Sequence, residues 1–267
     1  MAMYSIRIHS RYNKLESFVR SLPETFDASG TLLFQKRNVV KMFEAEGMCL
    51  VVKKFRCPNA LQRVAYTFFK PSKAVRAYMH ADLFTSKGIS TPAAVAYLQM
   101  KQGGLVSEGY FVSLCGYGCS VRERLLPGGS SQEFAVHNYG DADMQLIDNV
   151  AAFIANIHDK DVIHGDLNIS NLLCDKADGG GVRLCIIDND RARLCHPTRS
   201  QCLSDLMRAT HNRHLLSIIT TMYARHRGWD AAECNTAVMN KLDSFEKRKL
   251  LKRKLKGLGK TKTHFDS

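Results

Sequence analysis

No apolar run in the 267-residue chain approaches the ~20 residues that a membrane-spanning helix needs. The opening stretch, Met1 to Arg11, lacks the apolar core of a secretory leader, so the expected location is the cytoplasm. There is no internal repeat and no low-complexity linker, which leaves a chain able to bury one large core or two small lobes. No aromatic platform or recognition motif accompanies the positive charge, and no specific nucleic-acid partner is expected. The nine cysteines include no compact metal-ligand spacing, and Cys195, Cys202, His211 and His214 do not form one. Several cysteines fall in apolar, strand-like runs, which reads as reduced, buried thiols.

Acidic residues are scarce, 25 against 38 Lys and Arg, for a net charge of +13. The excess is uneven. Lys241 to Lys262 holds ten Lys or Arg against Asp243 and Glu246 and so carries +8 of the total. Within it, Lys247 to Lys256 spaces its leucines as a basic amphipathic helix would. That pattern suits an anionic membrane surface, or a solvated tail that binds polyanions weakly.

The most informative stretch is His164-Gly165-Asp166-Leu167-Asn168-Ile169-Ser170-Asn171, followed by an apolar strand, Leu184-Cys185-Ile186-Ile187, that runs into Asp188. An Asp, an Asn five residues on, and a second Asp ending a strand form a phosphoryl-transfer constellation. Asp166 is the candidate base, accepting the proton of an attacking hydroxyl or orienting it. Asn171 and Asp188 are hard oxygen ligands suited to Mg²⁺ on the phosphates of ATP. Lys53, at the end of Leu50-Val51-Val52, is the candidate phosphate anchor. Its neighbour Lys54 must point to the other face of the strand, because side chains alternate.

The pattern from Gly30 to about Ser113 is mostly strands: Thr31 to Gln35, Asn38 to Phe43, Met48 to Phe55, Ala94 to Met100 and Tyr110 to Ser113. Ser72 caps a helix from Lys73 to about Lys87, with Gly88 at its end. Leu114 to Cys119, containing Gly116 and Gly118, is a connector placed as a hinge, and Ser113 and Cys115 are the candidate nucleotide contacts there. Asp141 caps a helix over Ala142 to His158 with one apolar face, Ile147, Val150, Ala151, Ile154 and Ile157. Leu172 to Cys174 and Val182 to Ile187 form a hairpin around Asp178 to Gly181, and Gln201 to about Lys256 reads as two or three helices. The expected fold is α+β and two-lobed, with residues 1–113 as a strand-rich lobe, 114–119 as hinge and 120–267 as a helical lobe. Nothing is readable for Met1 to Ser29 beyond cover for the small lobe.

Two parts of a kinase are absent. No Gly-x-Gly-x-x-Gly lies among the early strands, so the phosphate cover falls to Arg37 to Lys41 or to Glu44 to Gly47. The helix after Ser72 has no Glu to pair with Lys53; Asp82 is its only carboxylate, and whether Asp82 reaches Lys53 is open. Gly165 replaces the arginine of many protein kinases, and no Ala-Pro-Glu follows Asp188. Both absences point away from a regulated protein kinase and toward small-molecule or glycan acceptors. Arg191 and Arg193 follow, able to contact an anionic acceptor or to form bridges within their own loop.

The catalytic loop, the Val-Val-Lys strand, Ser72-Lys73-Ala74 with Arg76, Gly88-Ile89-Ser90-Thr91-Pro92, Ile187-Asp188-x-x-Arg191 and the basic C-terminus together resemble the lipopolysaccharide kinase family over roughly residues 30 to 256. The resemblance implies a protein-kinase-like fold, ATP with Mg²⁺, and transfer to a Kdo or heptose hydroxyl of the lipopolysaccharide inner core. It also implies a position at the cytoplasmic face of a Gram-negative inner membrane, with residues 241–262 touching the membrane surface. Asp166 is then the base, Asn171 and Asp188 the metal ligands, and Lys53 the anchor. Asp190 stands where the family has Asn, and Met79 where it has Glu. The alternatives are an atypical, RIO-like protein kinase, a small-molecule or antibiotic kinase, and a kinase-fold module that binds without transfer.

Overall fold

The structure, a computed structural model, describes residues 3–116, 118–128, 136–176 and 181–261, with only the helical backbone for 255–261. The chain forms two units, Met1–Ser120 with Asn171–Ala192, and Val121–Ser170 with Arg193–Ser267. The hairpin after Asn171, read from sequence with the C-terminal half, thus groups with the strand-rich unit.

Six strands of the first unit are β1 (Met3–Ile8), β2 (Thr31–Gln35), β3 (Val39–Ala45), β4 (Met48–Phe55), β5 (Ala94–Gln102) and β6 (Leu105–Leu114). They make one antiparallel sheet in the order β1-β5-β6-β4-β3-β2. Its two faces are covered by different helices. On one, Leu50 and Val52 meet Leu15, Val19, Leu22 and Phe26, which come from α1 (Glu16–Thr25) and the residues around it. On the other, Phe55 packs on Ala74 and Ala77 of α3 (Lys73–Ser86). Side-chain alternation along β4 therefore sends Lys54 to the α1 face and Lys53 to the α3 face. Lys54 Nζ reaches Asp27 Oδ2 at 2.9 Å.

Several expectations change here. Met1 to Ser29, unreadable in the sequence, supplies β1, paired from Met3↔Lys101 to Ile8↔Ala96, and α1. Strand β6 begins at Leu105 rather than Tyr110: Ser107, Glu108 and Gly109 interrupt its apolar pattern, but Leu105, Val106 and Gly109 pair with β5 across an irregularity in register. A Cβ on Gly109 would meet the Cβ of Ala74 at 3.0 Å, so α3 lies close over the strand there. Helix α2 (Ala60–Phe68), with Asn59 as its cap, was not expected at all. Cys49 and Cys115, read as thiols, form a disulfide with Cα atoms 5.5 Å apart. The β4–β6 register explains it, since Leu50 lies opposite Leu114 and the Cys115 amide donates to the Cys49 carbonyl at 3.0 Å.

The first unit is completed by β7 (Cys119–Ser120), β9 (Leu172–Lys176) and β10 (Val182–Ile186), in the sheet order β10-β9-β7. The expected turn of the β9–β10 hairpin lies partly outside the described residues. Gly118 has φ +70°, and a Cβ on it would fall 1.9 Å from the Cys174 carbonyl oxygen, so only glycine admits this approach to β9.

The second unit is helical: α4 (Val121–Leu125), α5 (Asp141–Asp159), α6 (Arg199–Leu206), α7 (Arg213–His226) and α8 (Ala231–Thr261), with the short pair β8 (Val162–Ile163) and β11 (Arg193–Leu194). All five apolar residues expected on one face of α5 are buried. The cap differs: α5 starts at Asp141 behind Gly140, and Asp141 and Asp143 occupy the first turn, where carboxylates complement the helix dipole. Helix α5 packs on α7, α7 on α8, and α6 on α8.

Candidate active site

In the first unit, Lys53 at the end of β4 donates from Nζ to Asp188 Oδ1 at 2.6 Å. Both side chains are largely shielded, at 15% and 30% exposure, which makes the pair stronger than one in open water. Asp188 follows β10 in a left-handed conformation, φ 66° and ψ 47°. A non-glycine residue there carries roughly 1 kcal/mol of backbone strain, held by the hydrogen bonds around it. The Ile187 amide donates to the Asn171 carbonyl at 2.9 Å, so the backbone brings Asn171 beside the strand end that carries Asp188.

The turn after Asp188 (Asn189–Arg191) is tied to α3. Arg76 Nε donates to the Asp190 carbonyl at 2.9 Å, and His80 Nδ1 lies 2.7 Å from the Asn189 carbonyl. The Gly88-Ile89-Ser90-Thr91 segment anchors the strand below it. Ile186 N donates to the Ser90 carbonyl, Thr91 Oγ1 to the Ile186 carbonyl at 2.7 Å, and Asn189 Nδ2 to Thr91 Oγ1 at 3.0 Å. The sequence motifs at residues 72–76 and 88–92 thus hold the Asp188 turn in place.

Asp190 is buried, and burial together with the neighbouring charge of Asp188 pushes its carboxyl up to about 6, against a smaller opposing effect of Lys53 and Lys73. Lys73, at the start of α3, is held below the ordinary lysine range by burial and by Arg37, Arg191 and Lys53. Two crowded carboxylates ringed by cations offer oxygen ligands to a divalent cation and positive charge to phosphates. With Asn171 adjacent they fit Mg²⁺, which takes oxygen ligands. Among the described residues no three His, Cys, Asp or Glu side chains form a metal site by themselves.

Asp82 is exposed on α3, where its charge acts on Tyr78, and the partner of Lys53 is Asp188. Met79 is half exposed, so the family's Glu position does not aim at Lys53 either. Of the two candidate covers, the Lys36–Asn38 turn lies at the Lys53 end of the sheet, since Val40 pairs with Lys53. Glu46 and Gly47 lie at the opposite end, beside Cys49, and Lys41 Nζ is bonded to the carbonyls of Phe26, Asp27 and Ser29. Ser113 is buried in β6. Cys115 has its amide on Cys49 and its sulfur in the disulfide, so neither is available to a ligand.

In the second unit, Asp166 is half buried in the loop after β8. Asp205 on α6, a residue that sequence reasoning passed over, fixes this loop. The His164 amide donates to its Oδ2 at 2.8 Å and the Gly165 amide to its Oδ1 at 2.9 Å. Gly165 has φ +77°, which explains glycine where other kinases carry arginine. Burial would raise Asp205, but hydrogen bonds from His158 and the Gly165 amide hold it below the ordinary carboxylate range. Burial likewise opposes the charge on His158, and hydrogen bonds to Asp205 and Cys202 raise it instead. His158 Nε2 lies 3.5 Å from Asp205 Oδ2, and its Nδ1 lies 2.8 Å from the Tyr223 hydroxyl. The only sequence signal for Asp205 was that it is the one acid in α6, among apolar neighbours Leu203 and Leu206.

Residues 130–227 match the family described as Lipopolysaccharide kinase (Kdo/WaaP). A solved structure of WaaP in complex with acyl carrier protein is similar at 16% identity and a TM-score of 0.57, covering 90% of this chain and 98% of that one. That likeness shows the kinase-like α+β fold. No curated protein matches the chain.

Proposed function

We propose that this phosphotransferase of the lipopolysaccharide kinase (Kdo/WaaP) family transfers the γ-phosphate of ATP to a Kdo or heptose hydroxyl of the lipopolysaccharide inner core. The observation that carries the reading is the Lys53–Asp188 pair, a cation and a carboxylate brought together from positions 135 residues apart, as a phosphate anchor beside a metal ligand would be. When bound, Mg-ATP supplies the transferable phosphoryl group and a charge that the site must neutralise. Asn171 and Asp188 would hold the metal, with Asp190 beside them. Lys53 holds the phosphates and orients Asp188, while Lys73 and Arg37 add positive charge around them. Asp166 orients the acceptor hydroxyl and takes its proton, and Asp205 fixes the backbone that carries Asp166.

Transfer of this kind depends mainly on positioning and charge neutralisation, and the hydrogen-bonded Asp188 turn and its surrounding cations support a role in both. Arg76 and His80 lock the Asp188 turn to α3, so a shift of that helix would move the acid. Nucleotide contact at Ser113 remains part of the proposal, with 1–113, 114–119 and 120–267 as the working lobes and hinge. The acceptor is a membrane glycolipid. Among the described residues no helix is long and apolar enough to cross a membrane, and we assign approach to the cytoplasmic membrane face to residues 241–262. Leu250 and Leu251 are exposed on that helix; Lys256 to Lys262 have no described side chains.

Purified protein is incubated with Mg-ATP and dephosphorylated inner-core lipopolysaccharide, with Asp166→Ala alongside, and the glycolipid is weighed by mass spectrometry. One added phosphate, absent with the variant, supports the reading. ATP binding without transfer would redirect the search to protein or small-molecule acceptors. Absence of ATP binding would leave a non-catalytic module.

A further inference from the structure

Helix α2 is amphipathic, but it is mounted the opposite way round from an ordinary surface helix. Its polar side holds it to the sheet. Arg63 donates from Nε to the Val106 carbonyl at 3.0 Å and from Nη2 to the Gln102 carbonyl at 2.6 Å, and Thr67 Oγ1 accepts the Val106 amide at 2.9 Å. Its apolar side faces out. Leu61, Val64 and Phe68, spaced at i, i+3 and i+7, fall on one face, and Phe69 follows. Leu61 is 81% exposed, Phe68 68% and Phe69 81%, values that no core-packed side chain shows. No residue of α2 is buried.

The charge around this face is equally one-sided. From Gly47 to Ala81 the chain has seven Lys or Arg and no Asp or Glu. Lys53, Lys54, Arg63 and Arg76 have partners inside the unit. Arg56 and Lys70, on either side of α2, are exposed. An outward apolar ridge ending in two adjacent phenyl rings, flanked by cations and carried on a stretch of chain without acids, matches the surface of an anionic bilayer: rings enter the acyl boundary and cations meet the headgroups. The acid of the adjoining strand, Glu108, lies by Arg56 and Tyr66 and is paired with Lys54 at 3.5 Å.

We propose that α2 is a membrane-docking helix, inserting Phe68, Phe69 and Leu61 into an anionic lipid surface with Arg56 and Lys70 on the headgroups. A bilayer is favoured over a protein partner because the ridge is convex, short and without acceptor or donor groups of its own to specify a groove. The proposal rests on the glycolipid-kinase reading for its purpose, since a membrane-embedded acceptor has to be met at the bilayer. Its evidence is independent of that reading and of the tail at 241–262.

The test places a reporter on the ridge. Phe69→Trp is mixed with vesicles of phosphatidylglycerol whose acyl chains are brominated, and its fluorescence is compared with that of the parent, whose single tryptophan, Trp229, is in the other unit. Quenching of the new tryptophan well beyond the Trp229 background supports insertion. Phe68→Ser/Phe69→Ser should then weaken flotation with anionic vesicles about tenfold or more, and added salt should weaken it further. Transfer to acceptor dispersed in detergent serves as the control for folding and is expected to stay unchanged in both variants. Quenching no greater than the parent's, or unchanged flotation of the double serine variant, overturns the proposal. So does a wild-type dimer that the double variant converts to monomer, because the ridge is then a protein interface. Failure of transfer in every variant, with quenching intact, sinks the kinase reading and leaves the docking helix standing.

Discussion

Lys53 Nζ and Asp188 Oδ1 are 2.6 Å apart, joining the end of a sheet strand to a turn whose acid sits in a left-handed conformation. The pair sets the position of the acid that we propose as a metal ligand, and it does so without a glutamate from α3. In this chain the acidic partner of the lysine is the proposed metal ligand itself.

Lys53→Met should therefore reduce transfer by about 100-fold or more, the scale seen when a preorganised charge is removed from a transition state. Lys53→Arg should not restore it, because a planar guanidinium does not occupy the place of a compact ammonium. Folding stability should change by only about 1 kcal/mol, since Asp188 keeps some access to water. Steady-state transfer assays beside thermal melts check both parts, and a Lys53→Met enzyme with near-normal turnover would refute the assignment.

Asp190 gives a second prediction, from its carboxyl pushed up to about 6 by burial and by Asp188. A carboxyl raised in the folded state contributes stability that is complete below its unfolded value of 3.8 and is lost as pH rises through about 6. At neutral pH the ionised group is thus destabilising, by about 3 kcal/mol. Asp190→Asn, measured in chelator at neutral pH, should raise the melting temperature by about 5 °C. Added Mg²⁺ should then stabilise the parent more than the variant, because the cation relieves a repulsion the variant no longer has. Equal melting of the two proteins in chelator would contradict this account.

The candidate site could be picked out in the sequence because phosphoryl transfer needs fixed residue types at fixed spacings. Lys53 and Lys54 face opposite sides of the sheet, as alternation along β4 requires, with the favoured Lys53 on Asp188, and the apolar face of α5 is buried as its periodicity demands. What stayed hidden depends on tertiary register. Cys49 and Cys115 are 66 residues apart and meet only because β4 pairs with β6. Asp82 could not be oriented before the helix face was known. Helix α2 escaped notice because periodicity reveals the face a helix buries, and this one buries none.

Asp205 leads to a third prediction. It accepts two consecutive backbone amides of the catalytic loop, from His164 and Gly165. Asp205→Asn keeps one acceptor oxygen and turns the other into a donor facing an amide. The loss should be about 3 kcal/mol in stability, with kcat falling more than KM rises, since the residue positions Asp166 and is not expected to touch substrate. Hydrogen exchange should speed at the two amides. Unchanged exchange there, with activity lost, would mean that Asp205 acts by another route.

The buried His158–Asp205 pair makes stability depend on pH from both sides. His158 is raised above its ordinary 6.5, so its contribution is complete below that pH and is lost as pH rises through the folded value. Asp205 is lowered below 3.8, so its contribution is present above that pH and is lost as pH falls through the folded value. Between these limits the two charges stabilise each other in spite of burial, and the Tyr223 hydroxyl completes the histidine's bonding. His158→Gln can still bond to both neighbours but cannot carry charge. The variant should therefore melt at a temperature that falls far less than the parent's as pH rises above 6.5, the ordinary histidine value that His158 exceeds. The parent should lose stability steadily over the same rise. A parent whose melting temperature rises with pH there would show that His158 is buried neutral, and the ion pair would have to be abandoned.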